Sequence, residues 1–338
     1  MAKLSIVIPV LNSEKTLPDC LAAIMQQTLP RTSYEIVLAD GGSVDRTLEI
    51  ARAAGVDVIT DNPLKTGEAG KTAGIKAAHG DIIALVDSDN ILPDPHWLER
   101  MLAPFDDPDV LASEPIAYTA RPQDPALTRY FARLGMNDPI CLFTRNYDRM
   151  CDVTGTWTGL AVETEDKGDW LKLTLGAHAL PTIGANGFIF RRSLLDGTNW
   201  DPYLFDIDIL YERIRRDGHV YVAKVKTGIV HLYCAHLGDF VRKQRRRIHD
   251  FLYFAQTKQR SYPWAGQRKS GIVLFCLATV TVIPLLVQAF RGFRRTRDAA
   301  WCYHLPVCWI TLAVYGAAVL AKCLGRRPAP VDRARWQR

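Results

Sequence analysis

The chain opens on a short apolar run, Leu4-Ser-Ile-Val-Ile-Pro-Val10, which reads as a buried strand. Asn12-Ser13-Glu14 then supply helix-start residues, and Leu17, Cys20, Leu21 and Ile24 recur at helical spacing. The same alternation continues. Glu35–Ala39 is a second strand closed by Asp40-Gly-Gly-Ser43, a helix runs from Ser43 to Ala54, and Val56–Thr60 is a third strand. A Gly-rich turn, Lys65–Lys71, opens a helix to Ala78, and Ile82–Val86 is a fourth strand. Asp94-Pro95 caps a further helix with Trp97, Leu98, Met101, Leu102 and Phe105 on one face. Strands alternating with helices predict an α/β fold whose sheet is mainly parallel and covered on both sides.

From 116 to 183 clean periods are few, which predicts short helices and long loops. Ile183–Phe190 then runs from a turn into a strand, and Trp200–Asp208 leads into a helix through Arg216. Tyr221–Val225 and Gly228–His231 read as two closing strands.

The pattern changes after His231. In Val241–Arg260, Val241, Ile248, Leu252 and Ala255 share a face, while Arg242, Lys243, Arg245, Arg246 and Arg247 crowd the rest. Such a helix lies on a membrane surface or, more plainly, is solvated. Gly271–Phe290 and Ala299–Ala321 are uncharged apart from any proton on His304, and a basic loop, Arg291–Asp298, joins them. Each is long enough for the roughly 30 Å of a bilayer core. A helical hairpin is expected, either spanning or shallow and re-entrant with bends at Pro284 and Pro306. The basic tail, from Arg326 to Arg338, suits a cytoplasmic side. The expected division is a catalytic part at 1–235, an interfacial segment at 236–268 and a membrane hairpin with its tail at 269–338.

Charge sharpens that division. The net charge of +6 hides 23 Lys/Arg against 32 Asp/Glu over residues 1–230, and 19 against 4 over residues 231–338. A basic region binds nucleic acid or anionic membrane, and the adjoining apolar runs favour membrane and exclude nucleic acid. The eight Cys form no Cys-x-x-Cys pair, so neither a zinc framework nor a disulfide scaffold is expected, only reduced thiols facing a cytoplasm. The amino terminus enters a strand directly, without the pattern of a secretory leader.

The chemistry concentrates at strand ends. Ile82–Val86 stops at Asp87-Ser88-Asp89, two carboxylates that need a cation or hydrogen bonds. The plain alternative is a solvated turn. Gly67-Glu-Ala-Gly-Lys71-Thr72 lacks the first glycine of a P-loop, because Lys65 stands there, and no Gly-x-Gly-x-x-Gly follows the first strand. What fits is a set of strand ends on one edge of a parallel sheet: Pro9–Glu14, Asp40–Ser43, Lys71 and Asp87–Asp89. These suit a nucleoside diphosphate, with Asp40 for base or ribose, Lys71 for phosphate and Asp89 for metal.

Ser5–Asn12, Glu35–Ser43 with Asp45-Arg-Thr47, and Val86–Asp89 together resemble the family 2 glycosyltransferases of GT-A fold over residues 3–235. The resemblance implies sugar transfer from a nucleotide sugar (UDP-, GDP- or dTDP-linked), with inversion and a Mg²⁺ or Mn²⁺ ion. It implies that Pro9, Asn12 and Glu14 frame the nucleotide, with Asp40 at the base, Asp87 on the ribose side and Ser88 in the same nucleotide-sugar-binding set. Asp89 would hold the metal, and Asn186 and Gly187 of Gly184-Ala-Asn-Gly187 would lie on the acceptor side. His231 stands where some relatives place a metal or phosphate ligand; the alternative is a structural histidine. Two departures matter. Lys71-Thr72 replaces the family's Arg-Asn, and Phe205-Asp-Ile-Asp208 replaces its Glu-Asp, so the base is Asp208 or Asp206. Gln244-Arg-Arg-Arg247 lacks the Trp of the processive signature, which predicts single-sugar transfer. The expectation is a transferase at the cytoplasmic face of the cell (inner) membrane, acting on a lipid-linked or cell-surface saccharide. The alternatives are a nucleotidyl or phosphoryl transferase and a non-catalytic sugar-nucleotide binder.

Overall fold

The structure, a computed structural model, describes residues 4–184, 186–257, 260–263 and 269–325. Ala185 of the acceptor-side turn, residues 258–259 and 264–268 of the interfacial segment, and the basic tail from Arg326 to Arg338 lie outside the described residues. Two compact units form: Met1–Thr119 with Ala161–His231, and Ala120–Leu160 with Leu232–Arg338. The expected single block at 1–235 is therefore interrupted, because 120–160 packs with the carboxyl-terminal helices.

The first unit holds the whole sheet. Its strands are β1 (Leu4–Val10), β2 (Tyr34–Asp40), β3 (Val58–Asp61), β4 (Ile82–Leu85), β5 (Asn90–Ile91), β6 (Val110–Tyr118), β7 (Glu163–Asp166), β8 (Trp170–Leu175), β9 (Phe188–Arg191) and β10 (Val220–His231). Their order is β3-β2-β1-β4-β9-β6-β10-β8-β7, with β5 paired to β10. The parallel part is β3-β2-β1-β4. Beyond β4 the sheet is mixed: β9 runs antiparallel to both β4 and β6, while β10 runs parallel to β6. The helices of this unit are α1 (Leu17–Met25), α2 (Thr47–Ala53), α3 (Gly67–Ala77), α4 (Trp97–Leu102) and α7 (Asp206–Asp217). Leu4, Ile6, Ile8 and Val10 of β1 point to one face, where they meet Leu17, Leu21, Trp97 and Met101. On the opposite face Gly74 of α3 sits so close to Val7 that a Cβ there would lie 2.3 Å from its side chain. Both faces are covered, as a parallel sheet requires.

Some strands differ from expectation for physical reasons. β6 carries Glu114-Pro115 in its middle, and β7 is the exposed, acidic Glu-Thr-Glu-Asp, so neither shows an apolar run. The two closing strands are one, β10, with register shifts at Val225/Gly228. Helix α2 begins at Thr47 and not Ser43, since the side chains of Ser43 and Asp45 are engaged in the loop before it.

The second unit is helical: α5 (Ala126–Leu134), α6 (Ile140–Thr144), α8 (Leu237–Thr257), α9 (Lys269–Thr281), α10 (Ile283–Thr296) and α11 (His304–Cys323). Its core joins Tyr130, Phe131, Phe143, Phe240, Phe275 and Trp301. The apolar run 271–290 is broken. Val282 takes φ 65°, and α9 and α10 meet at 92°. Pro284 stands in the first turn of α10, where a proline is tolerated, but it cannot continue α9. Pro306 falls within the first turn of α11 and causes no bend. Ala299–Cys323 is long and apolar enough to cross a membrane, by length and composition.

Candidate active site

The chain leaves β1 toward β2 and returns past it to β4, so the connections diverge between β1 and β4. Ligands of open α/β sheets bind at such a switch point, beyond the carboxyl ends of the strands. The loops after β1 and β2 are stitched together there. Asn12 N–H donates to Ser43 Oγ (2.9 Å), Asn12 Oδ1 accepts from Val44 N–H (2.9 Å), and Ser13 N–H donates to Thr47 Oγ1 (2.7 Å). Glu14 N–H donates to Asp45, and Glu14 Oε2 accepts from Arg46 N–H at 3.3 Å. Asp40 is buried and accepts from Gly42 N–H and from both the N–H and the hydroxyl of Ser43. Pro9 packs against α3, where a Cβ on Gly70 would come within 2.7 Å of it. The residues expected to frame a nucleotide thus form one contiguous rim.

The end of β4 supplies the second part. Ser88 Oγ donates to Ser13 Oγ at 3.0 Å, which ties this turn to the first loop. Asp87 titrates above the usual carboxylate range, driven by burial, opposed by Lys71 and reinforced by Asp89. Cys20 lies beneath, its thiol 3.7 Å from the Asp87 carbonyl, and burial first and the Asp89 and Asp87 charges next push it far above its ordinary value. It is an inert packing thiol.

Asp89 and His231 come together, Nε2 to Oδ2 3.5 Å, because β5 pairs Asn90 with His231 across β10. The Tyr118 ring lies tilted beside His231, ring centroids 5.5 Å apart, and its hydroxyl oxygen accepts from Asn186 Nδ2 of the turn at 3.1 Å. Asn90 Nδ2 donates to Asn186 Oδ1 at 2.9 Å. Gly187, at φ 86°, lies where a side chain would strike Ile229 and Trp97. Asn90 and Tyr118 were not anticipated; Tyr118 ends a strand whose apolar pattern is interrupted.

Among the described residues no three His, Cys, Asp or Glu side chains converge as a closed metal site. Asp89 and His231 are a two-donor set on the rim of this crevice. That suits a hard cation that takes its remaining ligands from phosphate and water.

Lys71 reaches across to α7. Its ammonium lies 2.6 Å from Asp206 Oδ2, both side chains about nine-tenths buried. Burial alone would depress this lysine, but Asp206, Asp87 and Glu68 outweigh it and hold its pKa above the ordinary value. Asp206 Oδ1 is buried and has no hydrogen-bond partner among the described residues. Gly184, at φ 128°, backs this carboxylate; a Cβ there would fall 2.1 Å from Asp206 Cβ. Its N–H donates to Glu114, which pairs with Lys224 in the fully buried register of β6 and β10. Asp208, also buried, lies two residues on, roughly 200° around the helix from Asp206.

Residues 5–159 match the family model described as Glycosyl transferase family 2. Glycosyltransferase AglE of Haloferax volcanii is 35% identical over 101 residues, 28% of this chain and 33% of that protein. The matched stretches span a third or less of such curated relatives. Among solved structures, mannosyltransferase PcManGT of Pyrobaculum calidifontis, in complex with GDP-Man and Mn²⁺, has TM-score 0.50 at 16% identity, covering 96% of this chain and 79% of its own. Glucosyl-3-phosphoglycerate synthase of Mycobacterium tuberculosis, with Mg²⁺ and UDP, has TM-score 0.50 at 20% identity, covering 78% and 82%. Residues 5–159 of this chain are thus similar to the family 2 glycosyltransferases, and the sheet with its helices has the GT-A fold.

Proposed function

We propose that the protein transfers a single sugar, with inversion, from a nucleotide sugar to a saccharide or lipid-linked acceptor at the cytoplasmic face of a membrane. The observation that carries this reading is the convergence of Asp87, Asp89, His231, Lys71 and Asp206 beyond β1 and β4. The metal-bound complexes of the fold neighbours support the same chemistry. A Mg²⁺ or Mn²⁺ ion held by Asp89 and His231 would neutralise charge on the diphosphate. Asn12, Glu14 and Asp40 hold the nucleoside end of the crevice. Lys71 places a positive charge beside the diphosphate, and Asp206 keeps it oriented.

The acceptor hydroxyl must lose a proton as its oxygen attacks the anomeric carbon and the bond to the diphosphate breaks. Asp206 is the better candidate for that base than Asp208. Its carboxylate packs against Gly184 of the acceptor-side turn and its oxygen Oδ1 has no partner among the described residues, whereas positions two apart on a helix do not share a face. Membrane association rests on the apolar Ala299–Cys323 helix and on the apolar surface of α9 and α10.

A panel of UDP-, GDP- and dTDP-sugars, screened by thermal shift with and without Mn²⁺, tests this reading. One of them should stabilise the protein only with metal, and Asp89→Asn should lose that response while keeping its own melting temperature. Equal donor binding in chelator, or stabilisation by nucleoside triphosphates alone, would overturn it.

A further inference from the structure

The second unit contains an open cleft of about 520 Å³ between α6, the loop after it, and the bent α9–α10 pair. Its lining divides sharply by chemistry. Leu274, Ala278 and Pro284 form an apolar side, and three arginines, Arg145, Arg291 and Arg295, line the same space. Arg295 is engaged, donating to the carbonyls of Asp152 (3.0 Å) and Thr154 (3.5 Å), with the Asp152 carboxylate nearby. Arg145 and Arg291 have no ion pair and no side-chain hydrogen bond among the described residues. Arg145 also adopts φ 66°, a conformation that suits glycine or asparagine better than a long side chain.

The surface beside the cleft is hydrocarbon. Leu277, Ile283, Leu286 and Phe290 are each more than half exposed on α9 and α10. Two exposed cations beside such a surface match a ligand that is anionic at one end and apolar along its length. Guanidinium groups recognise phosphate through paired hydrogen bonds, and basic pockets between membrane helices hold anionic head groups.

We propose that this cleft binds the phosphate head group of an anionic lipid, with Arg145 and Arg291 on the phosphate and α9–α10 along the chains. The proposal rests on the reading that this unit associates with a membrane. The test is flotation of the full chain with phosphatidylcholine vesicles, with and without phosphatidylglycerol. Wild type should bind the anionic vesicles better by roughly 25-fold or more. The double variant Arg145→Gln/Arg291→Gln should lose roughly 25-fold of that affinity, given about fivefold per cation, and should still bind neutral vesicles. A control with the exposed Arg245→Gln/Arg246→Gln pair on α8 should lose less. An equal loss in the two pairs, or an unchanged preference in the cleft variant, overturns the assignment. If inorganic phosphate abolishes the preference and stabilises wild type but not the cleft variant, the site takes a free anion and the lipid assignment falls. Failure of wild type to float even with neutral vesicles defeats the membrane reading itself.

Discussion

Each unit of this protein buries an aspartate against basic side chains, and the two are handled differently. Asp206 of the first unit and Asp298 of the second have nearly equal side-chain exposure, 11% and 10%. Asp298 is saturated. It accepts from Arg129 Nε and Nη2 at 3.0 and 3.1 Å, from Arg133 Nε at 2.9 Å and from Ala300 N–H at 2.9 Å. Asp206 accepts from Lys71 through one oxygen and leaves the other without a partner among the described residues. Buried polar groups are ordinarily satisfied, so an orphan on a crevice calls for an explanation. The contrast separates a carboxylate that holds helices together from one that, on the proposed reading, is kept available to a substrate.

Replacing each carboxylate in turn breaks the comparison most directly. Asp206→Asn should lower turnover by about 10²–10⁴-fold, the usual contribution of a general base, and, because it unpairs the buried Lys71, should also cost stability and some donor affinity. Asp208→Asn should retain most activity. Steady-state kinetics on both variants decides, and the reverse order would move the base to Asp208. Asp298→Asn should leave turnover intact. Leaving Arg129 and Arg133 without their carboxylate should cost about 3 kcal/mol of stability, read by denaturant unfolding, with activity per folded molecule unchanged.

The smallest expected effect is on acid stability. The Arg129 hydrogen bond, against the opposing effect of burial and with help from Ala300 N–H and Arg133, holds the Asp298 carboxyl far below its usual range. A carboxyl depressed in the folded state contributes stability above its unfolded pKa, about 3.9, and loses it as pH falls below that value toward the folded one. Wild type should therefore lose stability in that acid range more steeply than Asp298→Asn, in thermal unfolding followed against pH. Parallel curves would mean that Asp298 is not the group responsible.

How far the chain could be read in advance follows the same divide. β1, β2 and β4 were legible because burial on both faces demands unbroken apolar runs, and Asp87 and Asp89 stood out because carboxylates at the end of such a run need a partner. Strand β7 was not, since an exposed edge strand needs no apolar side chain, and β6 hid behind a glutamate that is buried only because Lys224 lies across from it. The broken α9–α10 pair was foreshadowed by Pro284, but its 92° angle is a matter of packing.

Local sequence determined which segments are strands and helices, where the acidic strand ends fall, and that the basic excess follows His231. Those properties depend on side-chain period, turn chemistry and charge, all of them written into neighbouring residues. Tertiary structure alone decided which distant groups meet. Lys71 finds Asp206 across 135 positions, and His231 reaches Asp89 only because a two-residue strand pairs with the last turn of β10. Segment 120–160 leaves the sheet to pack with helices from the far end of the chain. Such pairings follow from the order of strands and the burial of whole faces, and no local pattern carries that information.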